Sequence, residues 1–175
     1  MRSHPILADA DGYRGSTHYG GAHHATSLFT EPLPEPAGTT TVIAFDPDRH
    51  RHIDQLIRAA VAAGAGADRA AELAAAADEL ATAAHRGNAH VRIRLWQDRT
   101  AVLCEITDPA VIDNPMTGRS ATPVTGADRR DRAIRRANEL CDLVQVRSGE
   151  DGTTIRIHTP RSTTAPATAT CAQRE

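Results

Sequence analysis

The sequence predicts a two-layer α/β (α+β) sandwich, in which helices cover one face of a mainly antiparallel sheet. Two observations predict this class. Short segments rich in branched apolar residues have the length and patterning of strands, and they lie at 40–45, 90–97, 101–108, 143–148 and 153–159. Three further segments repeat apolar residues at helical spacing, at about 48–63, 68–85 and 128–141. The predicted order is strand, two helices, two strands, a long loop, a helix and two strands.

The first half of this pattern is one strand and two alanine-rich helices. The strand TTVIAF at 40–45 ends at Asp46 and Pro47, and Asp46 or Asp48 can cap the helix that follows. That helix is expected to bury one face, made of Ile53, Leu56, Ile57, Ala60 and Val61. Asp68 is expected to cap the second helix, whose inner face is Ala70, Leu73, Ala77, Leu80 and Ala84. Alanine is the best helix former, which supports both helices.

The second half contains two predicted strand pairs separated by a loop and a helix. HVRIRLWQ at 90–97 alternates apolar and polar residues, and it is expected to pair with AVLCEITD at 101–108 through a turn at Asp98 and Arg99. The loop at 109–126 is rich in proline and glycine, so we expect a long mobile loop of a kind that is often functional. The last two strands form a hairpin over residues 149–152.

The chain divides into a domain and two flanking segments. Residues 1–40 are rich in glycine and proline without apolar periodicity, so irregular backbone is expected there. EPLPEP at 31–36 favours extended backbone, because each proline restricts itself and its predecessor. Residues 41–160 are expected to form one domain, and the low-complexity tail 161–175 is expected to be disordered.

Composition disfavours several classes of function. The 175 residues carry a net charge of −2, and all 20 basic residues are arginine, so neither nucleic acid nor a membrane is the expected partner. No segment has the length of a transmembrane helix or the apolar core of a signal peptide. Cys104 and Cys141 lie in apolar runs without metal-binding spacing, so buried thiols and a cytoplasmic location are expected. The histidines have no zinc-site spacing, and the few aromatic residues do not predict a base-stacking surface.

Three segments share the sequence patterns of one ATPase family. They are ADELATAAHRG at 77–87, LWQDRTAVLCEITDPAVIDNPMTGR at 95–119 and ANELCDLVQVRSGEDGTTIRIHT at 137–159. In order, they resemble the N-box helix, the strand pair that leads into the first glycine box and lid, and the end of the second box with its closing hairpin. The family is the GHKL (histidine-kinase-like) ATPase domain, in the version found in anti-sigma factor kinases of the RsbW type.

The resemblance is strongest to the ATPase domain that follows MEDS sensory domains. HPIL at 4–7 and LFTEPLPEP at 28–36 resemble the junction between those two domains, although the sensory domain itself is absent from the sequence. The resemblance implies the histidine-kinase-type ATPase fold for residues 41–160. Related anti-sigma kinases are often dimers, so a homodimer is one expectation from the resemblance.

The family's chemistry identifies candidate site residues. A glutamate on the N-box helix polarises the attacking hydroxyl or water, and an asparagine one turn later holds the Mg²⁺ that bridges the phosphates. Glu79 keeps the glutamate position and is the candidate catalytic residue, whereas Ala83 stands at the asparagine position. An aspartate after the second strand accepts a hydrogen bond from the adenine amino group. Asp108 keeps that position, but the nearby glycine is replaced by Ala110.

The phosphate-binding glycines are also replaced. In the family these glycines let backbone N–H groups meet the phosphates at the N-terminus of the last helix. The run here is TGADRRDRAIRRAN, in which Arg130, Asp131 and Ala133 fall at glycine positions. Arg130 and Arg132 could grip phosphates without glycines, so they join Asp108 as candidate nucleotide-binding residues. The resemblance therefore implies ATP and Mg²⁺ as cofactors of the family, in a degenerate site that disfavours phosphoryl transfer.

Each candidate also has a structural interpretation. Without an asparagine at position 83, Glu79 is better explained as a surface carboxylate on a helix, whereas Asp108 is equally explained as the residue that ends a strand. The arginines at 129, 130, 132, 135 and 136 are interrupted by acidic residues, which is typical of a solvated helix face. These interpretations and the functional ones remain open on sequence grounds.

Three functions are compatible with a retained fold whose site residues are largely replaced. The leading hypothesis is an anti-sigma-like regulatory protein that binds a sigma factor or an anti-anti-sigma protein, with impaired or absent kinase activity. The second is an active ATP-binding serine kinase with an aberrant site. The third is a repurposed enzyme or small-molecule binder, in which acid–base chemistry is supplied by Glu79, His85, Glu105 and Asp108.

Overall fold

The computed structural model describes residues 6–9, 12–15, 28–48, 51–85, 90–119 and 129–162. Its strands are β1 (Ile6–Asp9), β2 (Gly12–Gly15), β3 (Thr41–Ala44), β4 (Arg92–Gln97), β5 (Ala101–Asp108), β6 (Leu143–Gly149) and β7 (Gly152–Pro160). Its helices are α1 (Arg51–Ala62), α2 (Ala67–Ala84) and α3 (Arg129–Leu140). From β3 onward, the order of elements agrees with the order predicted from the sequence.

The main sheet has five strands in the order β3-β4-β5-β7-β6, and every neighbouring pair is antiparallel. Matched rows of apolar side chains, such as Ile93, Ile106, Ile155 and Val146, cross the sheet and belong to the buried core together with side chains from all three helices. Because side chains alternate along a strand, the intervening residues face away from the helices. The predicted α+β sandwich with helices on one face is therefore confirmed.

Alanine dominates the contact between the helices and the sheet. All five residues predicted for the inner face of α2 are buried, and Ala74, Ala76 and Ala81 are buried with them. The small side chains let α2 lie close both to the sheet and to its neighbouring helices. The predicted buried thiols are also confirmed, since Cys104 and Cys141 are both buried and reduced.

Two local predictions for the helices are wrong. Gly66, not Asp68, is the N-cap of α2, and Asp68 lies in the first turn, where its charge still favours the positive end of the helix. On α1 the buried stripe is His52, Leu56 and Ala60, whereas Val61 is 46% exposed. The apolar pattern failed there because a histidine occupies the first position of the stripe. Of the two predicted caps of α1, Asp46 accepts a hydrogen bond from the Asp48 amide, and residues 49–50 lie outside the described part.

Turn chemistry explains the two hairpins of the main sheet. Asp98 Oδ1 accepts hydrogen bonds from the Thr100 and Ala101 amides at 2.7 Å, which fixes the predicted turn between β4 and β5. The hairpin between β6 and β7 closes through the paired Gly149 and Gly152, and Gly152 has a φ of 111°. A side chain at Gly152 would overlap the backbone of Asp108, so only glycine fits where this hairpin meets the end of β5.

The N-terminal segment differs in part from the expected irregular backbone. β1 and β2 pair as an antiparallel hairpin, and residues 28–30 form one helical turn. The sequence contains an Asp-Gly pair at 11–12, which favours hairpins and is the signal that sequence reasoning missed. Residues 31–40 have no regular secondary structure, as expected. The predicted disordered tail lies outside the described residues beyond 162.

The described helices include no candidate membrane span. None of them combines the length and the apolar character that crossing a bilayer requires.

Candidate functional site

The candidate site lies at one end of the sheet, between α2, the N-terminus of α3 and the loop that follows β5. Asp108 is the last residue of β5, and Arg130 is the second residue of α3. Asp108 stands opposite Thr153, two residues along the strands from the Ile106–Ile155 pair, so its side chain lies on the same helix-covered face. The two-residue period of the strand thus directs this carboxylate towards α3.

Asp108 and Arg130 bind each other. Arg130 Nη1 donates to Asp108 Oδ1 at 3.1 Å, and Nη2 donates to Oδ2 in a second parallel bond. Their side chains are only 1% and 5% exposed, respectively. Such a bidentate guanidinium–carboxylate pair is among the strongest charge-assisted arrangements in proteins. Two of the residues predicted to contact nucleotide are therefore each other's ligands, and Arg130 does not belong to a solvated helix face.

The backbone that follows Asp108 is also hydrogen-bonded to other groups of the protein. Asp108 Oδ1 also accepts the Ala110 amide at 2.9 Å, and the Ala110 carbonyl accepts from the Thr153 hydroxyl at 2.6 Å. The Ser148 hydroxyl contacts Thr153 and accepts the Ile112 amide at 2.8 Å. The replacement at position 110 therefore lies in a short segment whose polar groups are bonded within the protein.

The described part of the long loop, residues 109–119, docks on α3 through Asp131. The Gly118 amide donates to Asp131 Oδ1 at 2.6 Å, and Asp131 Oδ2 accepts from Arg135 at 2.9 Å. These bonds, the Gly118 bond first, lower the pKa of the Asp131 carboxyl below its usual value. Gly118 has a φ of 73°, and a side chain there would overlap Ile134. This close approach holds the loop against the helix.

Replaced glycine positions thus supply internal ligands. A nucleotide of the type implied by the resemblance would offer donor groups of adenine to the aspartate and anionic phosphate oxygens to backbone amides. Here the Arg130 guanidinium donates to Asp108, and the Asp131 carboxylate accepts a backbone amide from the loop. Arg130 thus donates to Asp108 as an adenine amino group would, and Asp131 accepts a backbone amide as a phosphate oxygen would.

Glu79 and Arg132 lie in a different place from the Asp108–Arg130 pair. They line a cleft of about 390 Å³ between α2 and α3. Its remaining walls are Asp78, Thr82, Ala83, Arg129, Ala133 and Arg136. Glu79 is exposed and shares its helix face with Ala83, four residues on. Arg130 and Arg132 separate because residues two apart in a helix point about 200° apart, so only Arg132 reaches the cleft.

A buried histidine next to the cleft was not identified as a site residue from the sequence. His52 Nε2 lies 2.7 Å from Asp78 Oδ1, and His52 is 1% exposed. The Phe45 ring packs on the His52 ring with centroids 4.8 Å apart in a T-shaped arrangement. The contact between His52 and Asp78 joins α1 to α2 at the residue before Glu79. The signal in the sequence is the spacing of His52 from Leu56 and Ala60, which places a polar group on a buried stripe.

The four residues proposed for acid–base chemistry do not converge. Glu79 lines the cleft and Asp108 is held by Arg130, whereas Glu105 lies on the opposite face of the sheet between Arg94 and Arg156. His85 follows the C-terminus of α2. The separation of Glu105 from Asp108 follows from strand geometry, because residues three apart in a strand point to opposite faces.

The residue at the position assigned to the Mg²⁺ ligand is Ala83. Ala83 has no oxygen or nitrogen with which its side chain could coordinate a cation. Across the described ranges, no cluster of three or more His, Cys, Asp or Glu side chains is placed to hold a metal ion. The described polar groups at this end of the sheet therefore form ion pairs and amide contacts and line the open cleft.

Comparison with known proteins agrees with this geometry. The family model described as histidine kinase-like ATPase domain matches residues 43–159, which is more than half of the chain. The match runs from the end of β3 to the end of β7 and includes every residue of the candidate site. No curated protein matches the chain.

Proposed function

This chain belongs to the histidine kinase-like ATPase domain family, and from that premise we propose that it is an anti-sigma-type regulator that works by binding protein rather than by transferring phosphate. The observation that carries the proposal is the buried pair of Asp108 and Arg130. It satisfies, from within the chain, the carboxylate that the resemblance assigns to adenine. A domain that supplies its own ligand keeps the folded scaffold without depending on nucleotide.

The residues present do not fit magnesium–ATP. The position assigned to the Mg²⁺ ligand carries the methyl group of Ala83, and the adenine-reading carboxylate of Asp108 is already held by Arg130 and by the Ala110 amide. The resemblance assigns the position of Asp131 to a phosphate-binding glycine, and the carboxylate of Asp131 would repel a phosphate there. Glu79 lies on the cleft wall, but without a positioned phosphate the hydroxyl or water that it would polarise has no group to attack. No phosphoryl-transfer step is therefore assigned to this chain.

Exposed apolar residues on the first helix and on the sheet edge support a protein-binding role. Val61 on α1 is 46% exposed, and Val42 on β3 is 66% exposed. β3 is an edge strand of the sheet, so its outer backbone groups can pair with another chain. We propose that these two elements contact a sigma factor or an anti-anti-sigma protein. A partner bound there would cover apolar surface that the isolated chain leaves in water.

Direct binding of purified host sigma factors and anti-anti-sigma proteins to the full chain tests this proposal. We expect one of them to bind without added nucleotide, and we expect Val61→Asp and Val42→Asp each to weaken binding at least about tenfold. Val111→Asp is the matched control, because Val111 is 52% exposed but lies in the loop after β5. Failure of every candidate to bind would overturn the proposal. Equal weakening by the control would overturn the assigned surface.

A second candidate function rests on the cleft between α2 and α3. Three arginines of α3 line it against the two carboxylates of Asp78 and Glu79, and Ala83 stands at the position that the resemblance assigns to the Mg²⁺ ligand, so the net positive charge favours a small anion. The test is the melting temperature of the chain with pyrophosphate in EDTA, since a ligand of the native state must raise it. A rise that disappears in Arg132→Gln supports this function, and no rise excludes it.

A further inference from the structure

The face of the sheet that the helices leave uncovered is strongly basic. Register places Arg92 and Arg94 of β4, Arg147 of β6 and Arg156 of β7 on this face, with Glu105 of β5 among them. Four arginines against one glutamate give the face a positive charge, although the whole chain is slightly negative. This surface is on the other side of the sheet from the candidate site.

Glu105 holds two of these arginines in fixed positions. Arg94 donates to Oε1 from Nε at 3.0 Å and from Nη2 at 2.5 Å, and Arg156 donates to Oε2 from Nε at 3.1 Å and from Nη2 at 2.7 Å. Glu105 is 2% exposed, and the Arg156 guanidinium lies 4.9 Å from the centre of the Trp96 ring. Guanidinium groups fixed in this way lose little side-chain entropy on binding a further anion or carbonyl.

A segment of the chain itself already uses these groups. Residues 31–36, EPLPEP, are called the strap here. The Pro34 carbonyl accepts from Arg156 Nη2 at 2.9 Å, and Glu35 Oε2 accepts from Arg94 Nη1 at 3.1 Å. Glu31 is close enough to Arg147 to act electrostatically on its charge. The strap therefore crosses the sheet from β6 over β7 to β4, before the chain enters β3.

The length of the strap agrees with this path. From β6 to β4 the sheet has three interstrand spacings, or about 14 Å. Four residue steps of extended, polyproline-like backbone cover roughly 12–13 Å. Prolines at 32, 34 and 36 have no N–H to satisfy, so the strap can lie on the sheet with its carbonyls as acceptors and its two glutamates as anions.

The polar contacts of the strap are exposed, although Phe29, just before it, is anchored in the core. Glu31, Pro32, Pro34 and Glu35 are all exposed, and the Glu35 side chain is 80% exposed in its ion pair with Arg94. Ion pairs of this exposure contribute little because water and salt screen them. The basic surface beneath is rigid, whereas its present ligand is replaceable by a segment with the same charges and spacing.

We propose that the uncovered face of the sheet is a binding surface for an extended, proline-containing acidic segment of a partner protein, and that the strap is its resident ligand in cis. The partner segment displaces the strap and makes the same two kinds of contact, carboxylate to Arg94 and carbonyl to Arg156. The surface is separate from the Asp108–Arg130 pocket, so a nucleotide bound in that pocket would not occupy it. Val42 lies beside Arg94 in the sheet and is shared with the surface proposed for the anti-sigma role, so the peptide test below is made without a sigma factor or anti-anti-sigma protein and reports on the basic face alone.

A labelled peptide with the sequence of residues 28–38 is the probe. Its binding to the full chain is measured by fluorescence anisotropy, with wild type compared with the double variant Glu31→Lys, Glu35→Lys, whose strap is repelled by the basic face. If the strap is docked about 90% of the time, the double variant binds the peptide about tenfold more tightly than wild type. The emission of Trp96, the chain's single tryptophan, reports strap release and peptide binding on the same samples.

Charge-matched controls define the surface. In the double variant, Arg147→Gln is expected to weaken peptide binding several-fold, whereas Arg99→Gln, at the exposed turn between β4 and β5, is expected to leave it unchanged. A peptide with glutamine for both glutamates is expected to bind several-fold more weakly. The proposal is overturned if the double variant, folded by circular dichroism, binds no more tightly than wild type, or if the glutamine peptide binds equally well. A wild-type dimer that dissociates in the double variant would assign the surface to a second copy and overturn a partner segment as its occupant.

Discussion

Replacement of Arg130 by alanine is the substitution with the largest predicted effect. Arg130 is 4% exposed and donates two parallel hydrogen bonds to Asp108, which is 3% exposed. Arg130→Ala leaves the Asp108 carboxylate buried without its counter-ion. Loss of one partner of a buried ion pair typically costs about 3–5 kcal/mol of unfolding free energy, because the other charge stays desolvated.

The structure places the cost at the lower end of that range. Asp108 keeps the Ala110 amide as a donor, so its carboxylate is not left entirely unsatisfied. We therefore expect Arg130→Ala to lower the unfolding free energy by about 3 kcal/mol. For a domain of this size, that is a fall of roughly 10 °C in melting temperature.

Urea unfolding followed by Trp96 emission measures this cost. The control is the double variant Arg130→Met, Asp108→Asn, which removes both charges and keeps similar volumes. We expect it to lie within about 1 kcal/mol of wild type, because replacing both partners of a buried pair is often close to neutral. With the single variants Arg130→Met and Asp108→Asn, it completes a double-mutant cycle that gives the coupling of the pair. A cost below about 1 kcal/mol for Arg130→Ala would refute the pairing on which the self-liganded pocket depends.

Three further predictions concern the loop and the pH dependence of stability. Asp131→Asn is expected to lower the unfolding free energy by about 1 kcal/mol at neutral pH. Because folding lowers the pKa of Asp131, this difference from wild type should disappear as the pH falls below about 3.8. A difference that stays constant with pH would contradict the hydrogen bonds assigned to Asp131. Gly118→Ala is expected to cost about 2 kcal/mol in urea unfolding, because it combines a positive φ with overlap on Ile134; an unchanged midpoint would contradict the docked loop. Burial and then the charge of Arg156 lower the pKa of His158, so stability should fall as the pH drops from its unfolded value of 6.5 towards the folded one; His158→Gln should flatten this part of the profile, and an unaltered slope would count against the cause.

Most of the fold was predictable because its signals are local. The alternation in 90–97 and the alanine spacing in α2 depend on neighbouring residues only, and both elements appear with nearly the predicted bounds. The errors occur where tertiary contacts decide the outcome. His52 replaces Val61 on the buried face of α1 because Asp78 on another helix provides its partner, which the sequence of α1 does not contain.

The sequence could name candidate site residues, but it could not show which of them contact each other. The resemblance assigned Asp108, Arg130 and Asp131 to one site, and the structure brings the three residues to the same end of the sheet. The pairing of Asp108 with Arg130 joins residues 22 positions apart, so no local pattern reveals it. The same limit applies to the strap, whose contacts with Arg94 and Arg156 are between 59 and 122 positions apart in sequence.

Calorimetric titration of the wild-type chain with ATP and Mg²⁺ tests most directly whether the pocket is filled by its own side chains. An active anti-sigma kinase of the same family, measured under the same conditions, is the positive control. Since Arg130 holds Asp108 and Ala83 provides no metal ligand, we predict no magnesium-dependent binding in the micromolar range. Magnesium-dependent heat with micromolar affinity would contradict the self-liganded pocket.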